Sequence, residues 1–390
     1  MTSFLARVYA FKLFDSFIMI FPLYAVMFVD AGLSPFQIAV ILTSWSATSF
    51  VLQAPAGAIA DRLPRRRILA AAQVMRAGCF VVWWLYPHFW GFLGGIMLWG
   101  VKSAFTNGVF EALLYDELKA QDRAAEYTRI FGRARAVQAM GVLLASLGAA
   151  VAARWGYGAA LAGSLASIFM AIVAASSFPP AARAVASSQL GYLAHLKQGV
   201  SLALGQPVVL SILAFAALTN ALGGALEEFW PVFGAKVALS RPAIALFVGA
   251  QNAVEAVSAL NAHRFGRLTS GWFYLMFAVA GGLLLTAVGI FSAPAMVLLA
   301  AYSGLMKMID TVWNGRLQQA IPSENRATIG GVKELASQVG VSSLYMGFGP
   351  LAQATSYRVA FMACGAATIS IGVVYLLLIL WRRPAGATGT

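Results

Sequence analysis

Twelve long apolar stretches dominate this 390-residue sequence, and each is long enough to cross a bilayer as a helix of about 20 residues. Only 11% of the residues are charged, whereas soluble proteins carry about 25%, so a water-soluble core of this size is excluded. The stretches are also too uniformly apolar for the alternating strands of a membrane barrel. We therefore predict an all-α integral membrane protein with twelve transmembrane helices. The predicted spans are 8–29, 36–60, 68–87, 91–115, 130–152, 157–178, 206–233, 242–262, 272–290, 294–318, 329–351 and 358–381.

The net charge of +13 indicates membrane topology rather than a nucleic-acid partner. Most of the 27 Lys and Arg residues fall in loops on one side of the predicted spans. This asymmetry is typical of cytoplasmic loops, and it predicts a multi-pass protein of the bacterial inner membrane with both termini in the cytoplasm. The two cysteines, Cys79 and Cys364, lie inside apolar spans, so we expect neither a disulfide nor a metal site.

The longest polar interruption, residues 179–205, divides the chain into two sets of six predicted spans. A weak similarity between the two sets, in which Arg123 aligns with Arg326, indicates an internal duplication. Parallel repeats of this kind are a transporter architecture. We predict two pseudo-symmetric six-helix bundles, residues 1–178 and 206–390, joined by a cytoplasmic central loop.

Charged residues lie inside several of the predicted spans. A charge at bilayer depth costs about 2.5–3.5 kcal/mol on insertion scales, so such residues usually mark a polar pathway. In the tenth span Lys307, Asp310 and Asn314 share one helical face, and the two charges can pair with each other. Lys12 and Asp15 repeat this pattern in the first span. The alternative for each pair is a structural role that cross-links helices.

Further ionisable residues lie in the fourth, seventh and eighth spans. No basic residue lies within one helical turn of Glu111 or Glu255, and such a carboxyl group can load and release a proton. Glu227 and Glu228 are adjacent in the seventh span, and the alternative for them is a position near the aqueous mouth. The remaining cation is Lys102 in the fourth span. We predict that all of these residues belong to a proton-coupling and substrate cavity.

Two other features concern polar and aromatic side chains in the spans. Arg76 in the third span is expected to face inward, against Gln73 or an acid from another helix. Four aromatic residues inside the predicted spans are candidates to line the cavity and stack against a ligand, with core packing as the alternative. These candidates are Tyr24, Trp45, Trp230 and Trp313.

The loop between the second and third spans has the sequence Gly57-Ala-Ile-Ala-Asp-Arg-Leu-Pro-Arg-Arg-Arg67. It resembles the Gly-x-x-x-Asp-Arg-x-Gly-Arg-Arg signature of the major facilitator superfamily, with Pro64 in place of the second glycine. The resemblance implies that helices one, four, seven and ten line a central cavity. It also implies that this loop latches the cytoplasmic ends of the two halves, with Asp61 near Lys333. The predicted latch residues are Gly57, Asp61, Arg62, Arg65 and Arg66.

The chain also departs from the family pattern. The matching loop of the second half has His263 where the acid would be, so a second latch is not expected. Lys102 is the nearest match to the arginine that the family often uses for proton coupling in the fourth span. The fifth span offers Gly141 and Gly148 but lacks the Gly-Pro pair of the antiporter signature, which argues against a simple assignment to drug–proton exchangers.

The sequence as a whole predicts a secondary transporter that works by alternating access, not an enzyme. It contains no nucleotide-binding loop or nucleophile triad, so we expect a proton gradient, through Asp15, Glu111, Glu255 or Asp310, to supply the energy without a cofactor. The favoured activity is export of a small drug-like or siderophore-like amphiphile by a monomer in the lipid bilayer. The alternatives are a proton-driven uptake symporter for a nutrient and, outside transport, a membrane-embedded sensor.

Overall fold

The structure is a computed structural model that describes residues 2–60, 63–179, 200–201, 205, 207–321 and 326–381. Within these ranges the regular secondary structure is entirely helical, as the sequence predicts. The longer elements are α1 (Thr2–Ser16), α2 (Tyr24–Asp30), α3 (Pro35–Ala60), α4 (Arg65–Leu85), α5 (Phe89–Thr106), α6 (Val109–Ala120), α7 (Tyr127–Ala152), α8 (Tyr157–Ser176), α9 (Pro207–Thr219), α10 (Trp230–Lys236), α11 (Arg241–Asn261), α12 (Ser270–Ile290), α13 (Ala295–Ala320), α14 (Arg326–Ala354) and α15 (Tyr357–Trp381).

The first predicted span is not a continuous helix. Its two parts, α1 and α2, are separated by an interruption that contains Pro22, which cannot donate a backbone hydrogen bond. Backbone groups released at membrane depth need other partners, and the N–H of Ile20 donates to Ser164 Oγ at 3.0 Å. The prediction of one unbroken helix over 8–29 is therefore wrong in this detail.

The fourth and seventh predicted spans are interrupted as well. Between α5 and α6 the chain passes through Gly108, whose φ of +74° is a conformation that glycine adopts readily and other residues rarely do. After α9 the seventh span widens into a π-helical turn over Asn220–Ala225 and then tightens into a 3₁₀ turn over Leu226–Phe229. Such π-helical turns often mark functional sites.

Nine helical segments of the described chain are long and apolar enough to cross a membrane. The predicted span 8–29 is not among them because it is divided into two shorter helices, and the predicted span 91–115, which is divided at Gly108, is not among them either. The predicted span 329–351 is not among them either, although α14 is long, because polar and small residues are spread along it. Each of the twelve predicted spans nevertheless coincides with one helix or with a succession of helical segments.

The chain forms two compact units. The first contains residues 1–200 together with 239–252, and the second contains residues 201–238 together with 253–390. The grouping of 239–252 with the first unit was not expected from the sequence. The predicted central loop, 179–205, lies almost wholly outside the described residues, so the division into two six-helix bundles stays a prediction.

Each unit is held together by a large apolar core. In the first, α1 packs against α7 and α8, and a core of aliphatic and aromatic side chains includes the stacked rings of Phe11 and Phe110. In the second, α12 packs closely against α15. Their backbones approach so closely that a Cβ at Gly281 would lie 2.7 Å from the carbonyl oxygen of Gly365. Small residues permit this kind of helix contact in membranes.

The contact between α12 and α15 provides a test of the fold with an internal control. Gly281→Val introduces branched carbons where no room exists, and overpacking of this kind costs about 1–3 kcal/mol. A Cβ at the neighbouring Gly282 would meet nothing within 4 Å, so Gly282→Val has the same change in helix propensity without the clash. We expect a lower thermal unfolding midpoint in detergent for Gly281→Val than for Gly282→Val. Equal midpoints would contradict the observed packing.

Candidate functional site

The first unit contains a cavity of about 200 Å³ at the interruption between α1 and α2, which we call the first cavity. It is bordered by α1, the interruption, α4, α5 and α7. Non-helical backbone is tolerated at membrane depth where it is buried in protein or lines a cavity, and here Pro22 itself lies in the wall. The lining residues are Asp15, Ser16, Ile18, Phe21, Pro22, Arg76, Trp99, Lys102, Gln138, Val142, Ala145 and Ser146.

A buried ion cluster forms one side of the first cavity. Asp15 Oδ1 accepts hydrogen bonds from Arg76 Nη2 at 2.7 Å and from Gln73 Nε2 at 2.7 Å, and Lys102 Nζ lies 3.2 Å away. The side chains of Arg76 and Lys102 are only 4% and 12% exposed. Arg76 Nη2 also donates to Gln73 Oε1 at 2.8 Å. One carboxylate therefore joins cations from α4 and α5 to α1.

This cluster confirms one expectation and corrects another. Arg76 faces inward against both Gln73 and an acid of another helix, as the sequence predicts. Lys12 and Asp15, however, do not form the ion pair with each other that the sequence predicts. Asp15 pairs with Arg76 and Lys102, while the ammonium group of Lys12 lies 3.9 Å from the centre of the Phe110 ring. A cation over an aromatic face is stabilised by the quadrupole of the ring.

Glu111 lies in the first turn of α6, just after the interruption at Gly108. The sequence gives it no basic neighbour on its own span, but the structure gives it one from another helix. Arg135 Nη2 of α7 lies 3.5 Å from Glu111 Oε1. Glu111 is therefore part of an interhelical ion pair, and its role in proton coupling stays a prediction.

The second unit contains a smaller cavity of about 60 Å³, which we call the second cavity. It lies beside the π-helical turn of the seventh span and is also bordered by α11 and α13. Four of the predicted site residues line it: Glu227, Glu255, Lys307 and Asp310. Acidic groups thus outnumber basic ones by three to one in its wall.

A short polar chain leads away from the second cavity. Asn314 Nδ2 donates to Asp310 Oδ1 at 2.9 Å, and Lys333 of α14 donates to Asn314 Oδ1. The shared helical face of Asp310 and Asn314 agrees with the sequence. Glu228, the neighbour of Glu227, is half-buried but does not line this cavity.

The four predicted aromatic candidates do not line either cavity. Tyr24, Trp230 and Trp313 are at most 5% exposed and pack against other rings, as Tyr24 does with Trp83. Trp45 is half-buried and absent from both walls. The aromatic side chains that do border the first cavity are Phe21 and Trp99. Trp99 lies on α5. Its position three residues before Lys102 places it on the same face of α5, a signal that the sequence contains.

The predicted latch is only partly described. Asp61 and Arg62 lie outside the described residues, so their predicted roles have no structural counterpart here. Arg65 pairs with Asp116 of α6, and Arg66 Nη1 donates to the carbonyl oxygen of Phe178 at 3.3 Å. A Cβ at Gly57 would meet no described atom within 4 Å, so no close helix contact is seen at this residue among the described residues.

The first unit also contains a polar cluster that the sequence analysis missed. Asp30 Oδ2 accepts hydrogen bonds from Tyr157 Oη at 2.6 Å and from Arg241 Nη2 at 2.7 Å. The guanidinium group of Arg241 also lies 4.5 Å from the centre of the Tyr157 ring. The sequence does contain a signal for this cluster. Arg241 lies in a loop that the charge asymmetry assigns to the outer side, where basic residues are rare.

Comparisons with known proteins agree on one family and one fold. The sequence profile of the Major Facilitator Superfamily matches residues 8–344. Among solved structures, the nucleoside transporter NupG is 13% identical with a TM-score of 0.79, covering 96% of this chain and 98% of its own. A bacterial homologue of the human lysosomal transporter Spinster, inward-facing and unoccupied, is 14% identical with a TM-score of 0.74, covering 97% and 95%.

A third similar structure is an auto-inhibited peptide transporter of the POT family, at 12% identity and a TM-score of 0.74, covering 99% of this chain and 98% of its own. At these identities the likeness establishes the fold alone. No curated protein sequence shows significant similarity to the chain.

The ion cluster of the first cavity makes a prediction about stability. Asp15→Asn leaves Arg76 and Lys102 buried without their acid, and removing one partner of a buried pair costs about 3–5 kcal/mol. The matched control is Glu111→Gln, which makes the same acid-to-amide change in a pair whose side chains are 31% and 54% exposed. Exposed pairs contribute about 0–1 kcal/mol.

The measurement is the free energy of unfolding in detergent micelles for both variants against the native chain. We expect Asp15→Asn to lose several times more stability than Glu111→Gln. Equal losses of stability in the two variants would contradict the conclusion that Asp15 compensates the buried charges of Arg76 and Lys102.

Proposed function

This chain belongs to the major facilitator superfamily and is therefore a multi-pass membrane transporter, and we propose that it exports a small organic molecule in exchange for protons. The transport would be secondary and would follow alternating access, in which each ligand changes the relative stability of two states. The observation that carries the proton coupling is the acidic second cavity. The proposed location is the bacterial inner membrane, with both termini in the cytoplasm and the protein acting as a monomer.

Proton coupling is supported by the number of carboxyl groups around one small space. Glu227, Glu255 and Asp310 line a cavity of about 60 Å³ in which Lys307 is the only basic lining residue among those described. Carboxylates that share a confined site do not all ionise together, because like charges in a low dielectric repel strongly. Protons would therefore enter and leave this group as the cavity gains and loses contact with water. No cofactor is needed for this chemistry.

Asp310 is connected by hydrogen bonds to another helix of its unit. It accepts a hydrogen bond from Asn314, which in turn accepts one from Lys333 on α14. Gain of a proton at Asp310 would weaken its hydrogen bond with Asn314, because a neutral carboxyl group is a poorer acceptor than a carboxylate. The protonation state of Asp310 would in this way bias the position of α14 relative to α13. This is the coupling that secondary transport requires.

Export is the direction we favour because the first cavity combines aromatic and apolar walls with fixed charge. Trp99 and Phe21 provide apolar surface, and Arg76 and Lys102 provide charge. Such a mixed lining suits amphiphilic cargo, which binds through a few polar contacts and a larger apolar area.

Proton coupling can be tested with Asp310→Asn in proteoliposomes that enclose a pH-sensitive dye. A panel of amphiphiles is first screened for compounds that raise the unfolding midpoint of the native protein. With a compound found in this way, we expect the native protein to move protons and Asp310→Asn to move none while still being stabilised by the compound. Glu334→Gln, which changes an exposed acid of α14, is the control and retains proton movement. Native proton flux in Asp310→Asn would remove Asp310 from the mechanism.

The direction of transport can be tested with membrane vesicles of both orientations and the same compound. In inside-out vesicles with an acidic interior, an exporter that exchanges cargo for protons accumulates the compound. We expect this accumulation to collapse when the gradient is dissipated by a protonophore. Accumulation in right-side-out vesicles driven by an acidic exterior would instead establish uptake by symport.

A further inference from the structure

The polar interior of the first unit carries more positive than negative charge. Among the described residues that line the first cavity, Asp15 is the single acid, while Arg76 and Lys102 are both cations. The neighbouring pair, Arg135 with Glu111, is neutral in sum, and Lys12 adds a further cation that is only 7% exposed. The first cavity and its surroundings therefore hold an excess of buried positive charge.

Such an excess is costly unless a counter-ion is supplied. Buried charges in membrane proteins are normally paired, because an uncompensated charge in a low dielectric costs several kcal/mol. A purely structural link between α1, α4 and α5 needs only one cation for its one acid. Lys102 is thus the additional charge, and its 12% exposed side chain belongs to the cavity wall.

The hydrogen-bonding capacity of the cluster is also not used up. Arg76 Nη2 donates to Asp15 and Gln73, but Arg76 Nε is buried and has no hydrogen-bond partner among the described residues. An orphaned buried donor is rare in folded proteins and calls for an acceptor. The Lys102 ammonium group has three donors, and Asp15 is the one acid that it pairs with among the described residues.

We propose that the first cavity binds the carboxylate of a small organic acid, with Lys102 and Arg76 as the residues that recognise it. Charge-assisted hydrogen bonds from these cations to a carboxylate are about twice as strong as neutral ones. Trp99, Phe21 and Val142 then contact the hydrocarbon part of the acid. This inference rests on the proposed transport function and names the class of its cargo: an organic anion with an apolar body.

The volume and lining of the cavity restrict the cargo further. About 200 Å³ of space suits a small acid with one ring or a short chain. Asp15 remains in the wall and repels a second acidic group placed near it, so a monocarboxylate binds better than a dicarboxylate. A cationic amphiphile is disfavoured because Arg76 and Lys102 repel it.

The experiment is a binding measurement in detergent, without any gradient, on the full-length protein. Thermal shifts are recorded with three acids and their uncharged amides: acetate with acetamide, benzoate with benzamide, and indole-3-acetate with indole-3-acetamide. We expect at least one ring-bearing acid to raise the unfolding midpoint in a saturable manner and its amide to have no effect. Lys102→Gln is expected to weaken binding of that acid about tenfold or more, because a charged hydrogen-bond donor is lost.

Arg133→Gln is the matched control, since it removes one positive charge from an exposed position on α7 of the same unit. It is expected to bind the acid as the native protein does. The comparison of acid with amide in the native protein needs no variant, so it remains decisive even if Lys102→Gln does not fold. The proposal is overturned if no acid stabilises more than its amide, or if Lys102→Gln and Arg133→Gln respond alike.

These outcomes are separable from those of the transport assays. Specific binding of an acid without gradient-driven flux would refute proton-coupled export and leave the anion site standing. Proton-coupled flux of uncharged or cationic compounds, with no response to any acid, would refute the anion site and leave the transport function standing.

Discussion

The attachment of two cations to the carboxylate of Asp15 is the interaction on which the first unit depends. It draws α4 and α5 against the end of α1, at the point where the helix is interrupted. A carboxylate at this depth is stable because Arg76, Lys102 and Gln73 solvate it in place of water. Two cations and one acid leave one positive charge in excess. The ion cluster that links the helices therefore also gives the wall of the first cavity a net positive charge.

Both cavities lie where a helix is not regular. Pro22 follows the end of α1 beside the first cavity, and the π-helical turn of the seventh span lines the second, shortly before Pro231. Irregular backbone inside a membrane protein exposes groups that neighbouring side chains must satisfy, as Ser164 does for Ile20. The two units thus use the same device with opposite chemistry: basic residues predominate in the first wall and acidic residues in the second.

The sequence predicts the spans well because their length is imposed by the bilayer and their apolar character is nearly continuous. It also predicts that Glu227, Glu255, Lys307 and Asp310 are site residues. Local helical spacing places Lys307 and Asp310 on one face, but only the packing of the seventh span, α11 and α13 brings all four to one cavity. The choice of partner for Asp15 is not local. Lys12 is close to it in sequence, but α4 and α5 bring Arg76 and Lys102 closer, which only the packing determines. The interruption after α1 is likewise hard to anticipate in an apolar context.

The tight packing of α12 against α15 has a mechanical consequence. Their backbones are in close contact near Gly281 and Gly365, and again near Gly372, with no layer of side chains between them. The two helices are therefore expected to move as one rigid body. Any change of shape must then be absorbed elsewhere, at joints where the regular hydrogen-bond ladder is already broken. Gly108 and the turn over Asn220–Ala225 are joints of this kind. Gly108 lies three residues before Glu111, and the turn lines the second cavity, so bending at either joint would move polar groups.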